Sequence, residues 1–220
     1  NEHSWRVTWV CQGRKTTCLV KSIVDASGNA DVAAMLGALQ DEPTARLQRP
    51  AYISLIDDCP PMDDAMRIQT AGLIVQGVRS GALPQAALGM TFRRYENHQA
   101  TFCTLDIGDI ESHDYDPGDG ISLAQHSAVG RSVTTQVLHW LAQESPAWQQ
   151  ARIVHWPSML GIRESRAWRG RSVLRGEDLL AGKRQENDIA LAAWPAELRE
   201  TAHGPKIRYA HEHRAAGIPL

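Results

Sequence analysis

The stretch Ser22-Ile-Val-Asp-Ala-Ser-Gly-Asn-Ala-Asp-Val-Ala-Ala-Met-Leu-Gly-Ala38 changes character twice within a few residues. It begins with the β-branched pair Ile23 and Val24, which favours an extended strand. It breaks at the small residues Ala26, Ser27 and Gly28. Val32, Met35 and Leu36 then recur at helical spacing. The stretch therefore reads as strand, tight turn and helix. Gly28 tolerates a positive φ and has no Cβ to obstruct a close approach. Asn29 or Asp31 is placed to cap the helix, whose positive end would suit an anion or a phosphate. The plainer reading is that Asp25 only bonds local N–H groups, since most such junctions bind nothing.

Ile23-Val-Asp-Ala-Ser-Gly-Asn-Ala-Asp31 resembles the strand ending in Ala-Thr-Gly-Asp that returns to the cofactor in flavoproteins with two dinucleotide-binding folds. Ser27 stands for the usual Thr and Asn29 for the usual Asp, so a hydroxyl is kept and a carboxylate lost. Leu160-Gly-Ile-Arg-Glu-Ser-Arg166 is similar to a Gly-x-Arg-Glu-Ser-Arg signature of the FAD-dependent oxidoreductase family. Val173-Leu-Arg-Gly-Glu-Asp-Leu-Leu-Ala-Gly-Lys183 and Ile189-Ala-Leu-Ala-Ala-Trp-Pro195 follow in that family's order and spacing. The resemblance implies FAD as cofactor, with Asp25, Ala26, Ser27, Gly28 and Asn29 as the cofactor-facing turn. It implies hydride transfer from a small organic substrate to the flavin. It also implies a substrate domain inserted between halves of an FAD domain.

Nowhere among the 220 residues does Gly-x-Gly-x-x-Gly occur, the motif that holds a dinucleotide's pyrophosphate. The nearest run, Asp116-Pro-Gly-Asp-Gly120, has neither the spacing nor a strand before it. The family's closing flavin-contacting segment is expected beyond Gly217-Ile-Pro-Leu220. The chain thus reads as the central part of a flavoenzyme. Its expected partners are the missing FAD-domain segments or a partner subunit, and FAD binding by this chain alone is not expected.

Composition narrows the alternatives. With 43% hydrophobic residues, a buried core is expected rather than disorder. The net charge of −2, from 23 basic and 25 acidic residues, gives no basic surplus for nucleic acid. No apolar run reaches the roughly 18 residues of a membrane span, and the opening Asn1-Glu-His-Ser-Trp-Arg6 lacks the pattern of a signal peptide. Cys11, Cys18, Cys59 and Cys103 show no Cys-x-x-Cys spacing. They read as reduced, buried or half-buried thiols of a cytoplasmic protein; the alternative is a Cys11–Cys18 disulfide, should the two face each other across a hairpin.

Along the chain, Trp5 to Val10 and Thr16 to Val24 read as a strand pair turning at Gln12-Gly13-Arg14, before a helix from Ala30 to Leu39. Ala51 to Ile56 reads as a strand and Asp63 to Arg79 as a helix. Leu88 to Tyr95 and Gln99 to Asp106 form an expected antiparallel hairpin around Glu96-Asn97-His98. Gly108 to Gly120 reads as an acidic surface loop, Ile121 to Glu144 as a long helix, and Arg152 to Trp156 as a strand. Ser172 to Leu174 reads as a strand, Glu177 to Gly182 and Asn187 to Ala193 as helices, and Ile207 to Ala210 as a last strand. The fold class is α+β, a mostly antiparallel sheet with helices packed on it. Residues 1–40 read as a remnant of the FAD-binding domain and 41–220 as a substrate or cap domain.

Arg163, Glu164 and Arg166 are the sharpest candidates for chemistry. Guanidinium groups pair with a carboxylate substrate or stabilise charge on a reduced flavin, and Glu164 can orient an arginine or accept a proton. The rival reading is an Arg–Glu–Arg structural network. His211-Glu-His213 lacks the ligand number and spacing of a zinc site. His139 and His155 stand among apolar residues and read as core or interface histidines. Trp140, Trp148, Trp156, Trp168 and Trp194 read as packing between helices and sheet. No Gly-x-Ser-x-Gly elbow supports a serine hydrolase. A second class of function remains: a non-enzymatic binding or scaffold module derived from a flavoprotein.

Overall fold

The computed structural model describes residues 4–38, 47–94, 100–107, 115–198 and 206–219. The chain divides into two compact units, Asn1–Asp41 with Arg166–Arg169, and Glu42–Ser165 with Gly170–Leu220.

In the smaller unit, β1 (Trp5–Cys11) and β2 (Arg14–Val20) form an antiparallel ribbon. The turn between them places Gln12 at φ 48° and Gly13 at φ 77°, the left-handed pair that suits a two-residue hairpin. Register decides the cysteines. Cys18 faces Val7 and Cys11 faces Arg14, so the two thiols do not meet, and both are free. Cys11 is exposed rather than buried. The second strand is also displaced from expectation. Its ladder ends at Val20, so Ile23 and Val24 have no strand partner among the described residues, and Val24 is 88% exposed. The following helix, α1 (Asp31–Met35), is only one turn and a half long. Gly37 at φ 66° ends it, and the Ala38 N–H bonds back to the Ala33 carbonyl, a left-handed helix stop. The expected extension to Leu39 reaches outside the described residues.

The larger unit is built on a four-stranded antiparallel sheet. Its strands are β3 (Ala51–Asp57), β4 (Met90–Arg94), β5 (Thr101–Asp106) and β6 (Arg152–His155), in the order β4-β5-β3-β6. Alternation sends Tyr52, Ser54 and Ile56 to one face, with Cys103, Leu105, Met90 and Phe92 from the neighbouring strands. Helices α2 (Asp64–Arg79) and α3 (Gly120–Glu144) belong to this core through Ile74, Val133, Val137, Leu138 and Leu141. Each starts on an aspartate. Asp63 accepts the Met66 N–H at 2.8 Å, and Asp119 accepts those of Ile121 and Ser122, both at 3.1 Å. Trp148 is fully buried against Phe92. Gly130 on α3 lets the helix lie against the Tyr52 ring, where an added Cβ would come within 2.5 Å.

The C-terminal third departs most from the sequence reading. Asp188–Ala192, expected as a helix, is a strand, as are Ala196–Leu198 and Ala216–Pro219, whereas the strand expected from Ile207 forms as Lys206–Arg208. The first pairs with the last and the middle two with each other. A short apolar run suits either state, and the partner near the C-terminus decides. Ser172 to Leu174 is not a strand, whereas Gly176–Leu180 is a helix as expected. Trp168 and Trp194 are exposed rather than packed on the sheet, and so are His139 and His155. The Glu96-Asn97-His98 turn and most of the Gly108–Gly120 loop lie outside the described residues. Taken together, the secondary structure is α+β with an antiparallel sheet and packed helices.

Candidate functional site

The turn after Val24 is held by its own side chains. Asp25 Oδ1 accepts the Ser27 hydroxyl at 2.6 Å and the Ser27 N–H at 3.0 Å. Asp25 Oδ2 accepts the N–H groups of Val32 at 3.0 Å and Ala33 at 3.3 Å. Ser27 Oγ accepts the N–H of Asp31 at 2.9 Å. The first three N–H groups of α1 are thereby satisfied from inside the turn. Neither Asn29 nor Asp31 caps the helix; Ala30, at φ 54°, occupies the cap position without a side-chain bond. The Ser27 hydroxyl, then its N–H, hold the Asp25 carboxyl below the usual carboxylate range.

The α1 end does not fit a phosphate, because Asp25 already places a carboxylate on the donors a phosphate would need. The rest of the turn is open. Ala26, Ser27 and Gly28 are exposed, and no described atom lies within 4 Å of where a Gly28 Cβ would stand. Gly28, at φ 79°, adopts the conformation for which glycine is best suited.

Arg163 and Glu164 lie in the larger unit. After β6 the chain leaves the sheet and rejoins the start of β3, where Gly161 and Ala51 exchange both backbone hydrogen bonds at 2.8 and 3.0 Å. That return aims Arg163 at the end of the sheet. Its Nη2 donates to Asp106 Oδ1 at 2.8 Å and its Nε to the Arg49 carbonyl at 3.1 Å. Asp106 is 2% exposed and the Arg163 side chain 27%. Glu164 Oε2 accepts the Gln48 N–H at 2.9 Å. Both side chains therefore fasten the returning segment to residues 48–50 and to β5.

Arg166 belongs to the smaller unit. Its Nη2 pairs with Asp31 Oδ1, and the backbone N–H of Asp31 is the one held by Ser27. Arg166 thus stands one residue from the cofactor-like turn, with 40% of its side chain exposed. In these bonds, Arg163 meets Asp106, Glu164 the Gln48 N–H and Arg166 Asp31. Sequence reasoning missed Asp106, the carboxylate that receives Arg163. Its only signal was an acid closing the β-rich run Gln99 to Asp106. It also missed Asp31 as the partner of Arg166. Among the described residues, no group of three His, Cys, Asp or Glu is placed to hold a metal ion. No helix of the described residues is long and apolar enough to cross a membrane.

A family model described as FAD dependent oxidoreductase matches residues 1–220. No curated protein and no solved structure matches the chain.

Proposed function

The chain belongs to the FAD dependent oxidoreductase family, and from that premise we propose that it forms the substrate-side part of an enzyme moving a hydride from a small organic substrate to flavin. The observation that carries this reading is the turn at 25–29, internally braced and open at Ala26, Ser27 and Gly28. FAD, when bound, supplies the hydride acceptor. Asp25 and Ser27 fix the loop, and the exposed backbone of residues 26–28 would hold the flavin. Asn29 completes the loop.

Arg166 supplies positive charge beside that turn and stabilises negative charge gained by the acceptor. Arg163 and Glu164 act as positioning residues, through Asp106 and the Gln48 N–H. Residues 1–40 then belong to the FAD-binding domain and 41–220 to the substrate or cap domain. The exposed Trp5, Trp9, Val10 and Leu19 on the ribbon support further protein against it, since a lone two-stranded ribbon is marginal in water. The four free cysteines fit a reducing, cytoplasmic setting.

The test is Arg166→Met in the complete flavoenzyme, followed by anaerobic reduction of the bound flavin by substrate. The expected result is reduction slowed by about tenfold, roughly 1.4 kcal/mol, at unchanged flavin content. An unchanged rate removes Arg166 from the chemistry. The structural commitment of Arg163 and Glu164 favours a second reading, a non-enzymatic module derived from a flavoprotein. That reading predicts no flavin bleaching by any substrate.

A further inference from the structure

On the helix-covered face of the larger unit's sheet, α2 and β4 line a half-open cavity of about 140 Å3. That is close to the roughly 150 Å3 that admits benzene in a protein interior. Its apolar wall is Met62, Ile74, Met90 and Phe92. Two of these are methionines, whose unbranched side chains adapt to the shape of an occupant.

The polar residues of the lining are Thr70, Arg67 and Thr91, of which the first two matter here. Thr70 is 1% exposed, and its Oγ1 is buried with no hydrogen-bond partner among the described residues. A helical threonine commonly turns its hydroxyl to the carbonyl four residues back. Thr70 does not, and a buried hydroxyl left unpaired is destabilising. One turn earlier, Arg67 is exposed at the rim. It pairs with Asp64 at 3.6 Å, with the two side chains 50% and 96% exposed. Exposed pairs of this kind are weak and easily exchanged.

We propose that this cavity binds a small monocarboxylic acid with a benzene-sized apolar body. The body lies against Met62, Ile74, Met90 and Phe92, the carboxylate pairs with Arg67, and the Thr70 hydroxyl gains its missing hydrogen bond. Within the larger unit, the site is separate from Arg163 and Asp106. Met90 and Phe92 share the covered face with Leu105, whereas Asp106, the next residue along β5, points the other way to meet Arg163.

The probe is benzoate, titrated into the protein by calorimetry, with benzyl alcohol as the uncharged control. The expected result is saturable binding of benzoate, weakened about tenfold by Arg67→Ala and by Thr70→Val, as for loss of a hydrogen bond to a charged group. Benzyl alcohol should bind with an affinity that Arg67→Ala leaves unchanged. Both variants should fold, because Arg67 is exposed and Thr70→Val keeps the shape while removing an unpaired hydroxyl; thermal melts of the apo proteins check this. Absence of saturable benzoate binding, or benzoate binding that either substitution leaves unchanged, overturns the proposal.

Discussion

Asp25 uses both carboxylate oxygens inside its own turn, which ties the shape of residues 25–33 to one ionisation. Its native pKa lies below the ordinary 3.8. The unfolded chain therefore takes up the proton first, so the stabilisation is complete above that value and fades as pH falls through the native pKa. The Val32 and Ala33 amide NMR signals should accordingly hold steady down to the ordinary carboxylate range and move only below it. Movement at higher pH would place their acceptor elsewhere. Arg163 carries a different expectation. Removing it takes a charge-assisted hydrogen bond from the buried Asp106, so Arg163→Ala should cost about 1.5–3 kcal/mol in urea unfolding, and an unchanged midpoint would contradict that pairing. Cys103, buried with its thiol pushed up to about 12 by desolvation, should resist alkylation until unfolding, whereas exposed Cys11 reacts at once. At this scale the sequence marked Arg163, Glu164 and Arg166 because of the distinctive Gly161 segment. It did not show their partners, which are fixed by tertiary return. Asp106 lies 57 positions from Arg163, and Asp31 lies 135 from Arg166.

Elements with their own start and stop signals were legible. Both α2 and α3 follow a capping aspartate and a long apolar period, and both form as read. Short apolar runs were not, because four or five residues satisfy a strand or a helix equally well. Asp188–Ala192 becomes a strand only through Ala216–Pro219. The helix after Gly28 stops early because of a local signal, the left-handed Gly37. The contact between α3 and β3 depends on Gly130, where a methyl group would collide with Tyr52 and Ile107. Gly130→Ala should therefore destabilise the larger unit by about 1–3 kcal/mol, despite alanine's better helix propensity. Equal or raised stability in chemical unfolding would mean that α3 does not seat there.

For the whole molecule, the family match spans residues 1–220, and the structure divides the chain into two units. Family membership was legible because three motifs stood in register. The chemistry of the turn was only partly so. A strand–turn–helix pattern suggested a phosphate site, and side-chain geometry replaces it with a self-capped loop whose outer backbone is open. The account as a whole rests on that loop meeting flavin. Ala26 is exposed and takes part in none of the bonds described within the turn, so a large side chain there should leave the fold intact while obstructing a cofactor. The most direct test is to purify the protein from the full reading frame, native and as Ala26→Trp, and count flavin per chain by visible absorbance. The account predicts flavin in the native protein and its loss in the variant at an unchanged apo melting temperature. Equal flavin in both proteins would contradict it.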